Sequence, residues 1–164
     1  NALFIGRFQP FHKGQLKVLL NTSINYDKVI IGIGSSQYSH TRENPFSADE
    51  RKIMIEMSLQ KININNFKII LIPDIHNPPK WVDHVLSIFT DFDVVITNNN
   101  LTKRLFSEKG YSVEKTLLYD KKHYSGKEIR RRMIEGDRWE HLVPGEVVNI
   151  IKEIKGEQRV IEVR

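Results

Sequence analysis

Gly6-Arg7-Phe8-Gln9-Pro10-Phe11-His12-Lys13-Gly14-Gln15 is the stretch whose reading decides the fold. Before it stands a short apolar run, Ala2 to Ile5, with the length and composition of a buried strand. After it come Leu16, Val18, Leu19 and Leu20, which read as the inner face of a helix. A strand, a turn carrying Gly, Pro and His, then a helix opening is the usual site of phosphate binding in α/β proteins. The helix N-terminus presents unpaired backbone N–H groups and a partial positive charge. Gly6 and Gly14 allow the close backbone approach that a phosphate needs, and Arg7 and His12 add charge and directed donors.

Outward from this turn, strand and helix signals alternate, which favours a parallel sheet with helices on both faces. Val29 to Ile33 reads as the second strand, with a loop at its carboxyl end, where ligands sit in open α/β sheets. Ser47-Ala48-Asp49-Glu50 is a capping box that starts a helix burying Ile53, Met54, Met57 and Leu59. Phe67 to Ile72 is the third strand, followed by a stiff proline-rich connection and a helix from about Lys80 to Phe89 with Trp81, Val82, Val85 and Ile88 inward. Val94 to Thr97 is the fourth strand, ending in Asn98-Asn99-Asn100, and the next helix runs from about Leu101 to an αL cap at Gly110. Tyr111 to Val113 and Leu117 to Tyr119 are weaker strand signals. Ser125-Gly126-Lys127-Glu128 is a second capping box opening the helix Ile129 to Glu135, and a last helix spans about Pro144 to Ile154, with Gly156 after its end. Glu157 to Arg164 fits helix or strand. With no repeat or low-complexity linker, the 164 residues read as one domain with a C-terminal helical portion from about 125 to 164.

Composition sets wider bounds. The absence of cysteine excludes disulfides and thiolate metal sites and is compatible with a cytoplasmic protein. No signal peptide and no bilayer-length apolar run is seen, so no membrane role is expected. The net charge of +5 suits either a polyanionic ligand, such as a nucleoside triphosphate, or nucleic acid; a basic solvated surface accounts for most of it. Composition does not separate these readings, but no aromatic-basic interleaving supports nucleic acid. No Ser-His-Asp or metal-ligand spacing competes with the phosphate reading.

A second segment has the character of the first. Tyr124-Ser125-Gly126-Lys127-Glu128-Ile129-Arg130 opens a helix with Ser at its cap and Arg one turn in. The hydroxyl and the backbone N–H groups favour an anion that Arg130 would clamp. The plainer alternative is a capped surface helix whose Arg130, Arg131 and Arg132 face water.

These two segments together resemble the signatures of the nucleotidyltransferase superfamily with a His-x-Gly-His motif, and GRFQPFHKG is similar to the archaeal nicotinamide mononucleotide adenylyltransferases. Tyr124, Ser125, Gly126, Glu128 and Arg130 match the second signature, with Lys127 in place of its usual threonine. The resemblance runs nearly end to end and implies a Rossmann-like fold. It also implies a reaction: the phosphate of nicotinamide mononucleotide attacks the α-phosphorus of ATP, giving NAD and pyrophosphate. Such a transfer needs alignment and charge neutralisation rather than a strong base. By position, His12, Gln15 and Arg130 resemble the catalytic donors. Gly6, Arg7, Phe8, Gly14, Arg42 and Ser125 resemble contacts to ATP and its phosphates. Trp81, Ile75 and Phe46 resemble the mononucleotide site, with Trp81 stacking on the pyridinium ring. Mg2+ is implied with ATP, held largely by phosphates and water, with no protein metal site. Relatives are oligomers, so a homo-oligomer is expected.

Gln15 stands where the family has its second histidine. It still offers an N–H donor, without the charge of a protonated imidazole. A slow enzyme, a binding protein descended from one, and an altered form of an enzyme all fit. The reading these residues favour is an adenylyltransferase making NAD. The alternatives are a sister transferase with another phosphomonoester acceptor and a non-catalytic nucleotide-binding protein.

Overall fold

A computed structural model describes residues 1–164. Five parallel strands, β1 (Ala2–Gly6), β2 (Val29–Gly34), β3 (Phe67–Ile72), β4 (Val94–Ile96) and β5 (Ser112–Glu114), form one sheet in the order β3-β2-β1-β4-β5. The first helix, α1 (Lys13–Asn25), returns the chain to β2, and α2 (Ala48–Lys61) returns it to β3. Next come α3 (Pro78–Ile88) and α4 (Asn100–Glu108), then α5 (Gly126–Glu135), α6 (Gly145–Glu153) and α7 (Gly156–Glu162).

Side chains alternate across a strand, so each strand feeds two cores. Ala2 and Phe4, with Val29, Ile31 and Ile33, pack under α1, α2 and the C-terminal helices. Leu3, Ile30, Ile72 and Val95 face the other way, toward Val82 and Val85 of α3 and Phe106 of α4. Both faces are therefore covered, which is why the strands read as continuous apolar runs. The expected Rossmann-like α/β sheet is present.

Several local readings need correction. On α2 the buried residues are Arg51, Met54, Ile55, Ser58 and Leu59, whereas Ile53 and Met57 are exposed. The inner stripe begins at Arg51, the fourth residue of the helix, a position where a charged side chain masks the helical period. Leu20 and Ile88 likewise face outward. Helix α3 starts at Pro78, since proline is accommodated in a first turn. Leu117 to Tyr119 forms no strand; the chain there turns back over α1. The last residues continue as α7, and Gly156 opens that helix. No helix is long and apolar enough to cross a membrane.

Candidate active site

The strand order reverses between β1 and β4, a topological switch point that leaves a crevice beyond the strand ends. A cavity of about 470 Å³ occupies it, lined by Ile5, Gly6, Arg7, Gly34, Ser35, Asp74, Trp81, Val95, Ile96, Thr97, Asn99, Leu101, Thr102 and Leu105. Beside it a basic cavity of about 590 Å³ collects Arg7, Arg42, Lys122, Lys127, Arg130, Arg131 and Arg164 around Ser125, with Glu43, Glu128 and Glu135 at its edge. A third hollow of about 450 Å³ adds Tyr38, Thr41, Asn44 and His76. Arg7 lines all three. Its side chain is half exposed, and its ion-pair partner is Glu43 at 3.9 Å.

The first signature is built as a cap. His12 precedes α1, its Nδ1 accepts the Gln15 N–H at 3.3 Å, and Gln15 Oε1 accepts the His12 N–H at 3.2 Å. This is a reciprocal capping box with His in the place of Ser or Thr. The ring is buried, and burial lowers its pKa to about 4, so the imidazole is neutral at pH 7 in the free protein. With Nδ1 accepting, the ring proton belongs on Nε2, which leaves one directed donor. Gln15 has its oxygen committed to the cap, and its amide nitrogen lies 3.3 Å from where a Cβ on Gly6 would stand.

Gly14 serves a different neighbour from the one expected. A Cβ there would come within 2.6 Å of the Tyr119 ring, which folds over the turn and meets His12 edge-on at 5.8 Å between centroids. The close approach is thus made by an aromatic ring of the β5–α5 connection. Phe8 has a fully buried ring, as do Phe11 and Phe46. Phe46, expected in the mononucleotide site, therefore has no exposed side-chain surface. Its own N–H and carbonyl are both held by the Gln9 amide, each at 2.9 Å.

The second signature arrives at the same turn. Arg130 Nη1 donates to the Gln9 carbonyl at 2.7 Å, across 121 residues of sequence. Gly126 makes room, since a Cβ there would stand 2.8 Å from both atoms of that bond. Burial, with the nearby charge of Arg7, lowers Arg130 to about 10, which leaves it protonated at neutral pH. Ser125 caps α5, its hydroxyl accepting the Glu128 N–H at 3.1 Å. The expected capping box is only half present: the Glu128 carboxylate binds Arg131 and Arg132 instead, and these hold its pKa down to about 2. Arg132 also donates to the Arg138 carbonyl, so Arg131 and Arg132 are tied into surface pairs and Arg130 alone turns inward.

On the crevice side, Trp81 is half-buried and edge-on to Phe106 at 5.6 Å, with its remaining surface lining the cavity. Asp74 accepts the Ser35 hydroxyl at 2.8 Å and has its backbone held by Gln37. Ile75 follows it, half-buried, and does not line any of the three cavities.

Arg51 was not anticipated. It is fully buried beneath the ends of β1 and β2. Its Nη1 donates to the carbonyls of Arg7 at 2.9 Å and Gly34 at 2.8 Å. Nη2 reaches those of Ser35 at 3.2 Å and Tyr38 at 3.3 Å, and Nε that of Ser47. The signal that would have found it is the spacing 51, 54, 55, 58, 59, one face of a helix.

Comparisons with known proteins agree with this geometry. The cytidylyltransferase-like family model matches residues 3–132. A nicotinamide-nucleotide adenylyltransferase of Methanococcus vannielii is 50% identical over 159 residues, covering 97% of this chain and 92% of its own length. That of Archaeoglobus fulgidus is 47% identical over 167 residues, covering 99% and 96%. The crystal structure of a bifunctional NMN adenylyltransferase/ADP ribose pyrophosphatase from Francisella tularensis, complexed with AMP and a Mn ion, superposes with a TM-score of 0.80 at 28% identity. It matches 98% of this chain, which spans about half (51%) of that longer protein. A buried His cap, an inward arginine from a distant helix, a switch-point crevice and identity at this level over nearly the whole length lead to one placement: the chain belongs to the cytidylyltransferase-like family and, within it, to the nicotinamide-nucleotide adenylyltransferases.

Proposed function

We propose that this protein makes NAD and pyrophosphate from ATP and nicotinamide mononucleotide, as one catalytic domain whose C-terminal helical portion, about 125–164, supplies part of the site. A phosphate oxygen of the mononucleotide forms a bond to the α-phosphorus of ATP, and the bond from that phosphorus to the bridging oxygen breaks, releasing pyrophosphate. The phosphomonoester is already anionic, so the protein's task is to bring two polyanions together and offset the charge that shifts between them.

The observation that carries this reading is the hydrogen bond from Arg130 to Gln9, which fastens the two signature turns together beside a basic cavity. The adjoining crevice is less charged and holds Trp81, suited to stacking on a pyridinium. Arg7 lines both cavities, which suits it to the transferring phosphoryl group. The roles assigned in this reading are those the family resemblance implies. Arg42, Ser125 and Arg130 receive the β- and γ-phosphates, His12 donates from Nε2, and the Gln15 amide supplies a neutral donor. Gly6, Phe8 and Ile75 contribute backbone.

The ATP would arrive with a divalent cation, Mg2+ in our reading, which offsets phosphate charge. No group of three His, Asp or Glu side chains forms a cage. Glu43, paired with Arg7, and Asp74 are the carboxylates lining the hollow with Arg7, a donor set that fits a cation carried by phosphates and water. Self-association through apolar surface such as Ile53 and Met57, and a cytoplasmic setting, belong to the same reading. The deciding experiment is pyrophosphate release with ATP and a panel of phosphomonoesters. Release with nicotinamide mononucleotide and little with pantetheine phosphate or flavin mononucleotide is expected. Release with none, despite nucleotide binding, would leave a non-catalytic binding protein.

A further inference from the structure

Arg51 lies on α2 below the ends of β1 and β2. A buried cation is expensive to desolvate and is ordinarily matched by a carboxylate. The adjacent Glu50 is engaged elsewhere, accepting hydrogen bonds from Nη1 and Nη2 of Arg159 at 2.6 and 3.0 Å. Arg51 is satisfied instead by carbonyl oxygens, and two of these close the peptide units Arg7–Phe8 and Gly34–Ser35. In a trans peptide the C=O and N–H point in opposite directions. A carbonyl drawn onto Arg51 therefore turns the next N–H away from α2. A hydrogen bond to the cation also polarises the peptide and makes that N–H a stronger donor.

Neither the Phe8 N–H nor the Ser35 N–H has an acceptor within the protein. Both residues hold left-handed backbone, with φ of 54° and 48°. That conformation is uncommon for residues other than glycine and persists where neighbouring contacts enforce it. Arg7 and Ser35 line both the crevice and the hollow beside it, so the two unpartnered amides flank residues at the cavity wall.

We propose that Arg51 is a positioning residue, holding the ends of β1 and β2 so that the Phe8 and Ser35 amides together receive an anionic oxygen of the mononucleotide phosphate. The inference rests on the reading that a phosphomonoester enters this crevice. Arginine suits the task because its planar fork reaches several carbonyls at once while keeping its charge. Lysine would keep the charge and lose the fan.

The test has two arms. In the native protein labelled with nitrogen-15, titration with nicotinamide mononucleotide should shift the Phe8 and Ser35 amide protons downfield, saturating together with the Trp81 indole resonance. A titrating Trp81 with both amides unmoved would overturn the proposal. In Arg51→Lys the KM for the mononucleotide should rise about tenfold and the amide shifts should collapse, with circular dichroism and thermal melting confirming folded protein at the assay temperature. A loss of folded molecules lowers the apparent kcat and leaves KM alone, so the split distinguishes positioning from stability. Unchanged KM and shifts in folded R51K would also overturn it, and if R51K does not fold the native titration decides. Native protein that makes NAD while both amides stay silent sinks this inference alone. Native protein that shifts them on binding but makes no NAD sinks the catalytic reading alone.

Discussion

His12 divides its ring between two tasks, Nδ1 capping α1 and Nε2 carrying the ring proton. The division requires a neutral ring, and its lowered pKa, about 4, carries a consequence for stability. The unfolded chain holds the proton more tightly between about pH 6.5 and 4, so the contribution is complete above 6.5 and is lost as pH falls toward 4. Its full size is on the order of 3 kcal/mol. His12→Asn keeps an acceptor at the cap and removes the titration. Urea unfolding at pH 7 and pH 4.5 should show the native protein losing on the order of 2 kcal/mol more than H12N; equal losses would mean the ring is not held neutral. Gln15→His tests the other half of the cap. Turnover of ATP with nicotinamide mononucleotide should rise about tenfold or more, since a charged donor would then face the transferring phosphoryl group. A lower rate would show that the cap with His12 has adapted to glutamine. At this scale the sequence displayed His12, Arg7 and Arg130, because each stands inside a recognisable turn. Arg51 and Gln9 stayed hidden because their partners are backbone carbonyls and amides far along the chain, which no spacing rule encodes.

Helix openings were the most legible elements, since Ser47 and Ser125 both cap where the sequence places them. Which partner a nearby carboxylate would choose was not legible. Glu50 closes its box and also takes Arg159, while Glu128 leaves its box for Arg131 and Arg132. Propensity speaks for a local bond, and tertiary or i,i+4 partners compete with it. The same limit applies at Gly126, which looks like an indifferent first residue of α5 and is in fact the gap through which Arg130 reaches Gln9. Gly126→Ala improves helix propensity and would stabilise α5 if nothing stood nearby. With a methyl 2.8 Å from Gln9 O and Arg130 Nη1, the opposite is expected. Stability should fall by about 1 to 3 kcal/mol in chemical denaturation, and kcat/KM for ATP should drop as the arginine is displaced. A more stable G126A with unchanged kinetics would remove the Arg130–Gln9 contact from the account of the site. Arg130→Ala completes the comparison: kcat/KM for ATP should fall by about 100-fold or more, with a smaller effect on melting than G126A has. Unchanged turnover would take Arg130 out of the site.

Across the whole molecule, the question is whether the C-terminal helices form a unit of their own or share the core of the sheet. One of the two apolar cores draws residues from Ala2 near the start to Val160 near the end, and in it Ile129, Met133, Val147 and Ile151 pack together with Phe46, Met54 and Phe11. The partly buried pair Arg159–Glu50 adds a bidentate tie between α7 and α2. A helical segment that buries its apolar face only against the rest of the chain has no core to keep if that contact opens. The site depends on the same contact, because Arg130 belongs to the C-terminal helices and Gln9 to the first turn. We therefore expect one cooperative unfolding transition. Two tryptophans provide local probes: Trp139 lies in the shared core, and Trp81 lies against Phe106 on the opposite face of the sheet. Trp81→Phe and Trp139→Phe each leave one reporter, and each substitution carries its own stability cost. Each variant should then show the same urea midpoint by its remaining fluorescence as by far-ultraviolet circular dichroism. If the Trp139 signal in W81F changed at lower urea than the dichroism of that same variant, the C-terminal helices would open separately. Joining and parting the two signature turns would then be a local motion of this enzyme.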